Sequence, residues 1–148
     1  MSTLHLARPD DLEKLSTLVA ANHAAQGIDM DEDSRRAALA PLLDGLPQGA
    51  AYLIGPRVAP VGYILLSFGW SVAAGGMTAT LDEVYIRERV RGRGMGTEAL
   101  LALLPGLEAN GIRAILVTLP PEAPRARRLF TRTGFGARED CLTMIRTA

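Results

Sequence analysis

Lysine is almost missing from this chain of 148 residues: Lys14 is the only one, and the other 15 basic residues are arginine. Cysteine is equally scarce. Cys141 alone cannot form an internal disulfide, and with two histidines the chain has no spacing that would hold zinc. Net charge is absent too, 16 basic residues balancing 16 acidic ones, which argues against a surface built throughout for nucleic acid or membrane but leaves room for local patches. No apolar run approaches the ~18 residues of a membrane span. Met1 to Asp10 lacks the basic start and apolar stretch of a secretory signal. These absences point to a reducing, cytoplasmic setting without a metal centre, and to Cys141 as a small buried hydrophobe. What is present, 48% apolar and 22% charged residues without repeats, describes a folded chain. We expect one domain over residues 1–148, long enough to bury ~70% of its unfolded surface.

Thr3 to Ala7 alternates as a strand, and Arg8-Pro9-Asp10-Asp11 suits the opening turn of a helix. Leu12, Leu15, Leu18 and Val19 carry that helix to about Ala25, and Gly27 ends it. The acidic run Asp29 to Asp33 reads as a loop into a second helix, Ser34 to Leu43, weakened by Pro41. Ala51–Ile54, Val61–Phe68 and Met77–Arg87 are strands of an antiparallel meander, joined by short glycine-bearing turns. A glycine-rich loop then opens a helix, Thr97 to Asn110, with a kink or early end expected near Leu104 because Pro105 lacks a donor. Ile112 to Leu119 reads as a parallel-type strand buried on both faces. Pro124 to Thr133 is a short arginine-rich helix, and Phe135–Ala137 with Leu142–Thr147 read as a closing hairpin. The order is that of a mixed α/β domain. Trp70 belongs either to the core or to an acceptor pocket, and His5 and His23, with no partners in sequence, read as structural.

Chemistry concentrates in Arg91-Gly92-Arg93-Gly94-Met95-Gly96-Thr97. Glycines without a Cβ let backbone N–H groups curl around an anion, and the following helix adds unpaired N–H groups and its positive dipole end. Arg91 and Arg93 interleave fixed positive charge. The segment is a phosphate or pyrophosphate cradle. It misses the G-x-G-x-x-G dinucleotide fingerprint, and with Lys14 as the only lysine it excludes a Walker A loop.

What it matches is [RQ]-x-x-G-x-[GA] opening a helix after an apolar strand. In this it resembles the GCN5-related N-acetyltransferase (GNAT) family, whose order of elements is matched over nearly the whole chain, down to the ending Leu129-Phe130-Thr131-Arg132-Thr133-Gly134-Phe135. The resemblance implies a mixed, mostly antiparallel twisted sheet flanked by about four helices, and acetyl-CoA as co-substrate. It implies that backbone N–H groups from Arg91 to Thr97, through Gly92, Arg93, Gly94, Met95 and Gly96, hold the coenzyme pyrophosphate. Val84 and Ile86, with Tyr85 between them, would pair with the pantetheine arm as an added strand. The helix from Pro124, with Arg127 and Phe130, would line the thioester end. A homodimer is plausible on the same ground, with an amine acceptor and neither nucleic acid nor membrane as partner.

Three positions depart from the family pattern: Phe130 stands where a tyrosine is frequent, Ala123 where asparagine is, and Thr118 where some members have glutamate. A thiol titrates near ~8.5, so a thiolate can leave without a dedicated acid. An amine of pKa ~10.4 presented neutral at pH 7 costs about 4.6 kcal/mol, so a base is the more pressing need. Candidates are Asp82 and Glu83. Alternation puts Glu83 on one face with Tyr85 and Asp82 on the other with Val84 and Ile86, so at most one faces the acetyl group. Glu83 is favoured, and Tyr85 could supply a phenol. The expected activity is direct acetyl transfer to an amine. The alternative is an acyl-CoA-binding module of the same fold with weak or no turnover.

Overall fold

Leu4–Leu6 forms β1, and a single 3-10 turn at Pro9–Asp11 leads straight into α1, Leu12–Gln26. The computed structural model describes residues 3–148. Asp11 is buried at this entry but not isolated. Its Oδ2 accepts from the Arg8 backbone N–H (2.8 Å) and from the Arg57 guanidinium (2.7 Å), the pairing a buried carboxylate requires. Gly27, at φ 71°, closes α1 in the left-handed region that a side chain disfavours. Helix α2, Glu32–Leu43, starts two residues earlier than the sequence suggests. Asp31 caps it, its Oδ1 accepting the Ser34 N–H at 2.7 Å. That hydrogen bond holds the Asp31 carboxyl below its usual range.

Strands β2 (Gly49–Ile54), β3 (Gly62–Ser71) and β4 (Gly76–Ile86) form the antiparallel meander, with β1 beside β2. Helix α3, Met95–Ala109, then connects β4 to β5, Ala114–Val117, which runs parallel to β4 and closes the order β1-β2-β3-β4-β5. The fold class is as expected. On one face Leu15, Leu18 and Val19 of α1 and Leu39 and Leu43 of α2 join Ala51, Leu53, Tyr63 and Leu65 in a single buried cluster. Ile64 and Leu66 point the other way by strand alternation, and α3 supplies buried Ala99, Leu100, Leu103, Leu104 and Leu107 as a second apolar layer.

Several expectations fail for physical reasons. Helix α3 does not stop near Leu104: it continues through Pro105, whose missing N–H would have served the carbonyl of Leu101, on the exposed side where water can replace it. Strand β5 is shorter than expected and not buried on both faces. It is the last strand in the order, and Leu116 is 45% exposed. Trp70, 74% exposed near the end of β3, is not part of the core.

Residues 119–148 form a second compact unit. In it α4, Pro124–Arg132, begins on a proline whose absent donor costs nothing at a helix start. Phe130 is buried and meets Phe135 edge to face, ring centres 5.3 Å apart, while the Phe135 N–H bonds the Phe130 carbonyl at 2.9 Å around Gly134. No closing hairpin forms after it. Phe135–Ala137 is too short to offer a ladder, and Leu142, Met144 and Ile145 all remain exposed. Cys141 is exposed rather than buried.

Candidate active site

Two features at the C-terminal half of β4 define the site. The first is an open sheet edge running into the glycine loop. Pairing of β4 with β5 covers only Thr78 to Leu81, so beyond Leu81 no β5 residue is paired with β4. On the other side β4 stays paired with β3 as far as Ile86. The Arg87 N–H donates to the Val61 carbonyl at 2.8 Å, which fixes the alternation. Tyr85 then exchanges bonds with Tyr63, while Val84 and Ile86 direct their N–H and C=O groups away from β3, to the vacated edge. One of those groups is engaged: the Ile86 carbonyl accepts Arg91 Nε at 2.7 Å. The same guanidinium lies 5.6 Å from the Tyr85 ring centre, a cation–π distance.

After a 3-10 turn at Glu88–Val90 the chain enters the loop. The Arg91 N–H bonds the Glu88 carbonyl at 3.2 Å. That donor is therefore already committed within the turn. Gly92 and Gly94 have φ of 80° and 78°, which explains why glycine is needed at both. A Cβ at Gly94 would meet nothing within 4 Å, so it is the left-handed φ, not crowding, that calls for glycine there. The first bond of α3 runs from the Glu98 N–H to the Gly94 carbonyl at 3.0 Å. The N–H groups of Met95, Gly96 and Thr97 are therefore left without intrahelical acceptors at the positive end of the dipole. Arg93 engages no other side chain among the described residues. These residues fit a pyrophosphate.

The second feature is a polar cluster around Glu83, on the face covered by α1. A register shift opposite Leu65 and Leu66 pairs Leu65 with Glu83 and Leu66 with Leu81, so Asp82 is the extra residue of a bulge and lies exposed. Glu83 turns inward. Its Oε1 accepts from Tyr63 Oη (2.7 Å), His23 Nε2 (3.0 Å) and Asn22 Nδ2 (3.3 Å), and His23 Nε2 also lies 3.1 Å from Oε2. Asn22 Nδ2 donates to Tyr63 Oη at 2.8 Å, and Gln26 Nε2 to Asn22 Oδ1 at 3.0 Å. Burial first, and then the Glu83 charge, push the Tyr63 hydroxyl far above its usual pKa, so it stays a donor. Tyr85 shares this face, its ring centre 5.7 Å from that of Tyr63.

Asn22 and Tyr63 escape a reading of the sequence, which also leaves His23 as merely structural. Nothing local marks them, because each meets Glu83 from 20 to 61 residues away. In the second unit Arg127 pairs with Glu139 at 3.3 Å, and Phe130 is occupied by Phe135. Among the described residues no group of histidines, cysteines and carboxylates could hold a metal ion, and no helix is long and apolar enough to cross a membrane.

The profile of the acetyltransferase (GNAT) family matches residues 24–135. The chain belongs to this family. Among solved structures, an integron cassette protein from the mobile metagenome of Cole Harbour Salt Marsh is 28% identical, with a TM-score of 0.85 over 99% of this GNAT chain and 91% of that one. A protein from Arthrobacter sp. FB24, named provisionally as an acetyltransferase, is 25% identical, with a TM-score of 0.84 over 100% and 97%. The ribosomal-protein-alanine N-acetyltransferase of Brucella melitensis biovar Abortus 2308 shares the fold at 17% identity, TM-score 0.76, over 99% and 100%. A comparison with curated proteins finds no match.

Proposed function

We propose that this GNAT protein transfers the acetyl group of acetyl-CoA directly to an amine, with Glu83 as general base. The observation that carries the reading is the position of Glu83: one carboxylate on the α1 face, its side chain 24% exposed, a few residues along β4 from the vacated edge and the glycine loop. Acetyl-CoA supplies the activated acyl group. Gly92 to Thr97 would hold its pyrophosphate through backbone N–H groups and the start of α3. Val84 and Ile86 would hold the pantetheine amides at the open edge, as an added strand. The exposed position of Asp82 in the bulge favours Glu83 over it as the base.

Glu83 would take a proton from the incoming ammonium or amine, offsetting the cost of presenting a neutral nucleophile. Tyr85, on the same face, could meet the departing sulfur. Phe130 cannot act as an acid. The test is release of CoA thiol from acetyl-CoA in the presence of a polyamine, an amino acid, an aminoglycoside and a peptide with a free N-terminus. We expect turnover with at least one. Acetyl-CoA binding without thiol release from any of them would favour the binding-module alternative.

A further inference from the structure

We propose that Asn22, His23 and Tyr63 are positioning residues that lock Glu83 through one oxygen, Oε1, so that the other, Oε2, takes the proton of the acceptor amine; this rests on the reading of Glu83 as base. Three donors converge on Oε1, from α1 and β3, while Oε2 has only the shared contact with His23 Nε2. A carboxylate oxygen offers about two lone-pair sites, so Oε1 is saturated and Oε2 keeps one site free.

The donors are ordered among themselves. Gln26 donates to Asn22 Oδ1, which turns the Asn22 amide nitrogen toward Tyr63 and Glu83. Tyr63 accepts from Asn22 and therefore spends its single proton on Glu83. His23 must carry its proton on Nε2 to donate to the carboxylate, which leaves Nδ1 buried with no partner. An apolar core would fill this space without that penalty. The one bond gained in return is to Glu83. The groups facing Glu83 are thus His23 and Asn22 of α1, Tyr63 of β3 and Tyr85 of β4, and no lysine, arginine or second carboxylate pairs with it among the described residues.

The step balances simply. The amine nitrogen forms a bond to the acetyl carbon, the carbon–sulfur bond breaks with its electron pair on sulfur, and the amine proton moves to Oε2. A glutamate left to rotate about three torsions would present either oxygen at varying angles, and catalytic groups need placing to within about 0.5 Å.

The experiment compares Tyr63→Phe, His23→Leu and His23→Gln, alone and combined with Glu83→Gln, using thiol release with the most active amine of the panel. It adds the long-range ¹H–¹⁵N spectrum of the histidine rings of the unliganded protein, which needs no acceptor. Tyr63→Phe and His23→Leu should each lower kcat about 10-fold and leave KM for acetyl-CoA within about 2-fold. His23→Gln, whose amide nitrogen reaches the place of Nε2, should recover most of that loss. On the Glu83→Gln background the same substitutions should change nothing further, because they act through Glu83. The spectrum should show His23 protonated on Nε2. A His23 proton on Nδ1, wild-type kcat in both Tyr63→Phe and His23→Leu, or losses that add to that of Glu83→Gln would overturn the proposal while leaving the base in place. Wild-type kcat in Glu83→Gln alone would remove the base, and the positioning roles with it.

Discussion

The glycine loop and the Glu83 cluster sit at the same end of β4 and are built in opposite ways. The loop is one contiguous stretch whose working groups are backbone N–H, made available by residues that lack side chains or start a helix. The cluster has no contiguous part: α1, β3 and β4 each send side chains to one carboxylate. A backbone cradle tolerates substitution wherever φ is ordinary and fails where φ is left-handed. A convergent side-chain site depends instead on the packing of elements that touch it only at their ends.

If this contrast is right, damage to one region should spare the function of the other. The largest effect is expected at Glu83. Glu83→Gln should lower kcat by about 10²- to 10⁴-fold, the range for loss of a general base, with acetyl-CoA affinity unchanged by titration calorimetry. Gly94→Asp should do the reverse, weakening acetyl-CoA binding by at least about 100-fold, since it sets a negative charge against phosphate at a residue with φ 78°. Unchanged affinity there would end the cradle reading. Leu18→Ala, on the buried face of α1 and away from both chemistries, should cost stability of about 2–5 kcal/mol by denaturant melts. Its effect on rate should exceed its effect on acetyl-CoA binding, because α1 carries two of the Glu83 donors. The smallest effect belongs to the α2 cap. The Asp31 carboxyl titrates lower in the folded chain than in the unfolded one, so its contribution is present above the unfolded pKa and is lost as pH falls through the folded value. Asp31→Ala should lower the melting temperature slightly at neutral pH and by less as the pH falls through the folded-state pKa, with neither kcat nor acetyl-CoA affinity altered.

Much of the architecture was legible because short-range rules decide it. The leucine spacing of α1 and α3, the glycine stops and the meander turns all came from patterns read within a dozen residues. Errors arose where a pattern needed a partner. Ile112 to Leu119 looked buried on both faces, but β5 is the last strand of the order and pairs with β4 over only four residues. The apolar residues near the C-terminus that suggest a hairpin, Leu142, Met144 and Ile145, are exposed in the fold. Pro105 alone suggests a break, and only the fold places the Leu101 carbonyl it leaves unpaired on the wet side of α3.

The same division runs through the site. By itself the sequence determined the glycine loop opening α3 and the family resemblance, since alternate glycines before an amphipathic helix set backbone geometry whatever surrounds them. Alternation put Glu83 and Asp82 on opposite faces in the sequence, whereas in the fold it is a bulge that sets Asp82 apart. Only the tertiary structure decided that β4 parts from β5 beyond Leu81 and that Asn22, His23 and Tyr63 converge on one carboxylate oxygen. Those contacts join residues 20 to 61 positions apart, and a hydrogen bond is set by where whole helices and strands come to rest, which no local spacing encodes.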